Sequence, residues 1–73
     1  MNPPAPIAAL TVPLGGQEIA MHPMDLVAGG LPMLRVRIRE GRRFTVFDID
    51  PGTAATWGEA LLAWGRANGR GAP

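Results

Sequence analysis

Arginine is the residue type in this chain that most clearly indicates a binding or chemical role, because most of the arginines cluster in one short stretch. Five of the seven arginines fall between positions 35 and 43, and three of these occupy alternate positions. Alternation with a period of two is typical of a strand, so Arg35, Arg37 and Arg39 are predicted to project from one face of a sheet. Phe44 follows in the next predicted strand. The pattern indicates a cationic sheet face with an aromatic residue beside it.

Three roles for this arginine row are open. On a solvated sheet face, Arg35 would pair with Asp48, and Arg39 would lie over Phe44 as a cation–π contact. In a protein interface, arginine and aromatic side chains would act as binding hot spots. An RNA or single-stranded DNA site would consist of Arg35, Arg37, Arg39, Arg43 and Phe44. The net charge of only +1 and the lack of paired aromatic residues argue against this last role.

Two carboxylates and one histidine are the remaining candidates for acid–base or metal chemistry. Asp48 and Asp50 lie two positions apart, and paired carboxylates can bind Mg²⁺ or serve as acid and base. Each has a structural role available, since Asp48 faces Arg35 and Asp50 can cap a helix. His22 is the sole histidine and stands beside a proline, so we interpret it as a surface or loop residue.

Residues that form covalent intermediates are scarce. The chain contains no serine, cysteine, tyrosine or lysine, which removes most of the side chains used in nucleophilic catalysis. Its threonines follow no pattern that would place a base beside them. We therefore expect a protein that is not an enzyme, with no catalytic, cofactor-binding or metal-binding residues.

The arginine row belongs to the clearest predicted element, a hairpin that turns at Gly41 and Arg42. Glycine at the first of two turn positions suits a type II′ turn. This register pairs Leu34, Val36 and Ile38 with Ile49, Phe47 and Thr45 on one face. On the other face it pairs Arg35, Arg37 and Arg39 with Asp48, Val46 and Phe44. A slip of one residue would mix arginines with core residues, so the apolar alternation and the turn chemistry support the same pairing.

Paired glycines predict an earlier hairpin over residues 7–21. With a two-residue loop at Gly15 and Gly16, the expected face carries Leu10, Val12, Leu14, Ile19 and Met21, with Val12 opposite Ile19 and Leu10 opposite Met21. Pro13 would then face Glu18, and since proline cannot donate to a ladder, the first strand is predicted at a sheet edge. Residues 22–30 contain proline and two glycines and are predicted to be an irregular connection.

The chain ends in helical signals. Asp50 suits the N-cap, Pro51 suits the first helical position, and Gly69 suits the C-terminal cap. One apolar stripe is predicted from residues at spacings of three and four: Ala54, Trp57, Leu61 and Trp64. Glycines at positions 58 and 65 flank the stripe, and each costs up to about 1 kcal/mol against alanine. They predict a close approach to the sheet or to another helix.

These elements predict an α+β fold of order ββββα, in which a four-stranded antiparallel sheet of two hairpins packs one face against the C-terminal helix. Residues 7–69 are expected to form a single domain, after a flexible proline-rich arm over residues 1–6 and before a frayed tail over residues 70–73. A chain of 73 residues buries only about 60% of its unfolded surface. Disulfides are excluded by the absence of cysteine, so association is the expected means of further stabilisation.

The second hairpin and the start of the helix read LRVRIREGRRFTVFDIDPGTA. Together with the apolar–tryptophan pair Ala63 and Trp64, this block resembles short uncharacterised proteobacterial proteins that share a strand–turn–strand ending in Asp-x-Asp-Pro. The resemblance covers a little under half of the chain. It implies a stand-alone small protein, and no activity of these relatives carries over to particular residues.

The sequence therefore predicts a non-catalytic protein-interaction module, either an accessory subunit of a larger bacterial complex or a homodimer. The candidate partner-binding residues are Arg35, Arg37, Arg39, Phe44, Val46, Trp57, Leu61 and Trp64. RNA or single-stranded DNA binding through the arginine row is the alternative. No apolar run reaches the roughly 18 residues of a membrane span and the first six residues lack the features of a secretory signal, so a cytoplasmic protein is expected.

Overall fold

The computed structural model describes residues 6–24 and 30–69. Strands β1 (Ala8–Thr11), β2 (Glu18–Met24), β3 (Met33–Glu40) and β4 (Arg43–Ile49) precede helix α1 (Pro51–Asn68). The predicted ββββα order is confirmed. The predicted tail, and the predicted arm apart from Pro6, lie outside the described residues.

The four strands form one antiparallel sheet in the order β1-β2-β3-β4. Each strand therefore lies beside its neighbours in sequence, as expected for consecutive hairpins. β1 is an edge strand, as predicted from Pro13, and β4 is the other edge. The arginine-bearing strand β3 lies inside the sheet between β2 and β4.

The β3–β4 hairpin has the predicted register throughout. Val36 lies opposite Phe47, and Arg35 lies opposite Asp48. Gly41 has a φ of 61°, and no residue other than glycine has a positive φ among those described. A positive φ at the first turn position alone is the requirement of the type II′ turn, so the turn chemistry is confirmed as well.

The register predicted for the first hairpin is wrong by two residues. Leu10 pairs with Ile19, and Thr11 pairs with Glu18, where Pro13 was expected. The backbone N–H of Val12 donates to the carbonyl of Gln17 at 2.8 Å, so the loop has four residues. Proline suits this longer loop better than a strand. Leu14, predicted on the apolar face, lies in the loop and is fully exposed.

β2 extends further than the sequence predicted. His22, Pro23 and Met24 were expected in the irregular connection, but they pair with β3. Pro23 is tolerated there because it lies beyond the first residue of β1: Ala8 pairs with Met21, whose carbonyl accepts from the N–H of Ile7. Since alternate residues point to the same side, the nitrogen of Pro23 faces past the start of β1, where no ladder bond is lost.

Helix α1 begins and ends where its caps predict. The backbone N–H of Thr53 donates to Oδ2 of Asp50 at 3.1 Å, and Pro51 occupies the first helical position. Gly69 is the C-cap, as predicted, and its φ of −90° is not left-handed. Its N–H instead donates to the carbonyl of Gly65 at 2.7 Å, which continues the helical bonding by one residue.

The side chains divide the sheet into an arginine face and an apolar face, and α1 lies against the apolar face. Val36, at the centre of that face, is completely buried and is the one hydrophobic residue buried to that extent among those described. Ala54 is half-buried, whereas every other described residue of α1 is exposed. The helix therefore contacts the sheet near its first turns and contributes little to a core further along.

Candidate interaction surfaces

The arginine face is formed by alternate residues of all four strands. It carries Ala9 and Thr11 of β1, Glu18, Ala20 and His22 of β2, Arg35, Arg37 and Arg39 of β3, and Phe44, Val46 and Asp48 of β4. The three arginines therefore run along the inner strand with a carboxylate beside the row at each end. Phe44 and Val46 of the neighbouring edge strand are about half exposed.

Two of the three arginines are held by carboxylates in two-point contacts. Nε of Arg35 lies 2.8 Å from Oδ1 of Asp48, and its Nη2 lies 3.1 Å from Oδ2. Nε of Arg39 lies 3.1 Å from Oε1 of Glu18, and its Nη2 lies 2.7 Å from Oε2. This fork geometry matches the planar guanidinium to the carboxylate and fixes both side chains on the sheet.

These contacts shift the ionisation of both partners. Hydrogen bonding and attraction from Arg39 lower the pKa of the Glu18 carboxyl, and the Asp48 carboxyl has a lowered pKa chiefly through its hydrogen bonds from Arg35. The reciprocal contacts raise the pKa of both guanidinium groups. Both pairs are therefore fully charged at neutral pH.

The middle arginine of the row contacts an aromatic ring and not a carboxylate. Cζ of Arg37 lies 4.7 Å from the centroid of the Phe44 ring. The sequence predicted this cation–π contact for Arg39, which lies directly opposite Phe44 in the register. That assignment is wrong because Glu18, on the other side of Arg39, offers a full charge, and an ion pair outcompetes the ring.

A shallow depression lies beside Arg37. Its floor includes Ala20, directly opposite Arg37 on β2, and Ala9, opposite Ala20 on β1. The small side chains leave open space between the Glu18–Arg39 pair and the edge of the sheet. Arg37 thus combines an exposed guanidinium with an open approach from the β1 side.

The structure does not bring Asp48, Asp50 and His22 together as ligands of a metal ion. Among the described residues, no group of three histidine or carboxylate side chains is placed to hold a metal ion. The carboxylate of Asp48 is hydrogen-bonded to Arg35, while that of Asp50 accepts from both the backbone N–H and the hydroxyl of Thr53. These bonds lower the pKa of the Asp50 carboxyl. Both carboxylates have the structural roles that the sequence favoured.

The helix stripe contacts the sheet through one aromatic pair. The ring centroids of Trp57 and Phe47 are 6.2 Å apart, with the ring planes tilted by 42°, which is a favourable arrangement for aromatic side chains. Trp57 is still 40% exposed, and exposure rises to 58% at Leu61 and 70% at Trp64 further along the stripe. The sequence placed these residues on one stripe, and the structure leaves most of that stripe uncovered.

A groove runs beside this stripe, formed where glycine replaces a side chain. We call it the glycine groove; its walls and floor are Gly58, Leu61, Leu62, Gly65, Arg66 and Gly69. Apart from its chain neighbours and the adjacent backbone of its own helix, a Cβ atom added at Gly58 or Gly65 would meet no described atom within 4 Å. The predicted close approach to the sheet is therefore wrong as an explanation of these two glycines.

Two components of these surfaces were not identified from the sequence. Glu18 was missed because its contact with Arg39 joins strands of different hairpins, and the sequence predicted register only within each hairpin. Leu62 was missed because it lies off the stripe defined by the tryptophans, although it is 53% exposed. The spacing of Gly58 and Gly65 was the one available signal that a second apolar strip lies beside the first.

No helix in residues 6–24 and 30–69 combines the length and the apolar character needed to cross a lipid bilayer.

Neither a curated protein nor a solved structure matches the chain. A family model matches residues 1–67, which include the four described strands and nearly all of α1. The chain is thus a member of the family of unknown function DUF6967.

Proposed function

We propose that this chain is a non-catalytic interaction protein whose binding surface is the exposed stripe of α1. The observation that carries the proposal is the exposure of Trp64, 70%, and of Leu61, 58%, on a helix with no fully buried residue. Large apolar side chains grouped on one surface mark interaction sites, since isolated small domains rarely leave such groups in water.

The small core supports this proposal. Val36 is the one completely buried hydrophobic residue among those described. A single short chain without disulfides gains further stability most readily by covering its apolar surface with another chain. The proposed setting is the cytoplasm, with the chain acting as an accessory subunit or as a homodimer.

The arginine face is a weaker basis for a function. Arg35 and Arg39 are already bonded to carboxylates, so phosphates would have to displace both ion pairs. Arg37 with Phe44 remains the best contact for a nucleic acid or for a second protein. A filter-binding titration at low salt tests this alternative, because phosphate binding weakens steeply as salt rises.

The proposal is tested by size-exclusion chromatography with light scattering, combined with capture of partners from an extract of the source cells. We expect the chain either to exceed its single-chain mass of 7.7 kDa or to retain a specific protein. Leu61→Glu should abolish the association by placing a charge on the stripe. Ala63→Glu, on the opposite side of the helix, is the matched control and should leave association intact. A monomer that captures nothing would refute the proposal.

A further inference from the structure

The glycine groove contains two helical glycines, Gly58 and Gly65, that the exposed tryptophan stripe does not explain. Gly58 lies in the middle of an 18-residue helix and Gly65 at the start of its last turn, and both are exposed, although glycine is the least favourable helical residue apart from proline. Nothing described in the chain lies close enough to require a missing Cβ at either position. Their positions seven residues apart place both on one side of the helix, two turns from each other.

We infer that α1 pairs in antiparallel orientation with α1 of a second copy of this chain, through the glycine groove. This inference rests on the proposed function and specifies its partner. Glycine lets two helices approach until the distance between their axes is at the lower end of the usual 8–10 Å. A second helix would thus occupy the space that the two missing side chains leave open.

The groove is complementary to itself under a two-fold axis, which is the requirement of a symmetric dimer. With the axis between Leu61 and Leu62, Gly58 lies opposite Gly65 of the second copy. Leu61 then lies opposite Leu62 of the second copy at the centre of the contact, and Leu62 lies opposite Leu61. Glycine therefore opposes glycine at both ends, where the backbones are closest.

Charge selects the antiparallel orientation. Arg66 lines the groove and Glu59 lies beside it, and neither forms an ion pair with a described residue. In the antiparallel pair, Glu59 lies about 3 Å along the axis from Arg66 of the second copy, which is within reach of both side chains. In a parallel two-fold pair, the flank that carries Glu59 and Arg66 lies on opposite sides of the contact in the two helices, so neither residue would face a charge of the second helix.

The exposed area suits an interface of this kind. A standard interface removes roughly 800 Å² from each partner. The surface area of a tryptophan side chain is up to about 250 Å². On this scale, the exposed surface of the large apolar side chains on α1 adds up to roughly 500 Å². Leu61 and Leu62 lie in the groove itself, while Trp57 and Trp64 lie on the adjoining stripe, so this full area is covered only when the second copy also contacts the stripe. Charged residues at the rim of the groove would supply the remainder, in the usual arrangement of an apolar centre and a polar border.

Sedimentation equilibrium of the full chain tests the pairing. We expect the wild-type protein at twice its mass of 7.7 kDa, and Gly65→Arg at the mass of one chain. Arginine favours a helix over glycine, so loss of the dimer in this variant cannot be attributed to loss of the helix, and circular dichroism checks this. Ala63→Arg introduces the same side chain on the opposite side of the helix and should remain dimeric.

Cysteine cross-linking tests the orientation, and the chain suits it because it has no cysteine of its own. Leu62→Cys lies next to the two-fold axis and should form a disulfide-linked dimer under mild oxidation. Gly58→Cys, once sedimentation equilibrium has shown that it is still dimeric, should not, because its copies are about 10 Å apart along the axis in the antiparallel pair, beyond the reach of a disulfide. Equal cross-linking of both variants would overturn the antiparallel arrangement.

The outcomes separate this inference from the proposed function. A wild-type monomer at all concentrations, or a Gly65→Arg variant that stays dimeric, overturns the helix pairing. If such a monomer captures a different protein and Leu61→Glu abolishes the capture, the interaction function stands with another partner. If the monomer captures nothing, both the inference and the proposed function fail.

Discussion

At the scale of single residues, the ion pairs of the arginine face are expected to make the free energy of unfolding depend on pH in the acidic range. Glu18 and Asp48 have carboxyl pKa values lowered by their arginine partners, and hydrogen bonds from Thr53 lower that of Asp50. A carboxyl whose folded pKa lies below its unfolded value contributes stability above the unfolded pKa, near 4. This contribution is lost as pH falls through the folded value. The raised pKa of Arg35 and of Arg39 has no effect in this range, since both stay charged.

We therefore predict that the free energy of unfolding is steady from neutral pH down to about 5 and decreases below about 4, the ordinary range of these carboxyls. Urea denaturation at a series of pH values measures it. The double variant Glu18→Gln with Asp48→Asn should be less stable at neutral pH and should show a shallower decrease in acid. An unchanged slope in the double variant would show that these pairs do not cause the acid dependence. High salt should weaken the effect, because both pairs are exposed.

A second prediction at this scale concerns the N-cap of α1. Replacing Asp50 with alanine removes the oxygens that accept from the N–H and the hydroxyl of Thr53. We expect lower helix content and a lower midpoint of thermal unfolding, both followed by far-ultraviolet circular dichroism. Asp50→Ser keeps an oxygen that can accept from the same N–H and should retain most of the stability. Equal losses in both variants would mean that the carboxylate charge, not the cap bond, stabilises the helix start.

At the scale of elements, the β3–β4 turn has the strictest residue requirement. Gly41 has a φ of 61°, a conformation that costs residues with a Cβ roughly 1–2 kcal/mol. We predict that Gly41→Ala lowers the free energy of unfolding by about that amount, measured by chemical denaturation. Arg42→Ala is the matched control at the adjacent turn position, where φ is not positive, and should change stability by less than about 0.5 kcal/mol. A similar effect of both changes would contradict the assigned turn.

The two hairpins explain how far sequence could predict these elements. For β3 and β4, the glycine turn and the apolar alternation specify the same register, so two independent rules agree. For β1 and β2, a shift of two residues keeps Leu10 and Ile19 on the same face. Alternation therefore could not distinguish a two-residue loop from the observed four-residue loop. Only the preference of Pro13 for a turn over a strand pointed to the longer loop.

The candidate surfaces were predictable to a similar degree. Arg35 and Asp48 were placed together because they lie within one hairpin, and the helix stripe followed from periodicity alone. The Glu18–Arg39 pair depends on how the two hairpins align, and no local rule specifies that alignment. The exposure of Trp64 depends on how far α1 extends beyond its contact with the sheet, which is a property of the tertiary structure.

At the scale of the whole molecule, the described residues form only a small core, with Val36 as the one completely buried hydrophobic residue among them. The sheet and helix are well formed, but their apolar surfaces meet mainly where Trp57 lies near Phe47. The rest of the helix stripe and the glycine groove are open to solvent. If another copy covers them, folding and association form one equilibrium, and the stability of the chain becomes inseparable from its concentration.

That coupling gives a prediction that does not depend on detecting the dimer directly. When a dimer unfolds to separate chains, mass action raises the midpoint of thermal unfolding as protein concentration rises. We expect this increase for the wild-type chain and for Ala63→Arg, and a midpoint independent of concentration for Gly65→Arg. Differential scanning calorimetry over a wide concentration range measures all three. A concentration-independent midpoint in the wild type would show that the sheet and helix are stable alone, and the two helix glycines would then have no role in assembly.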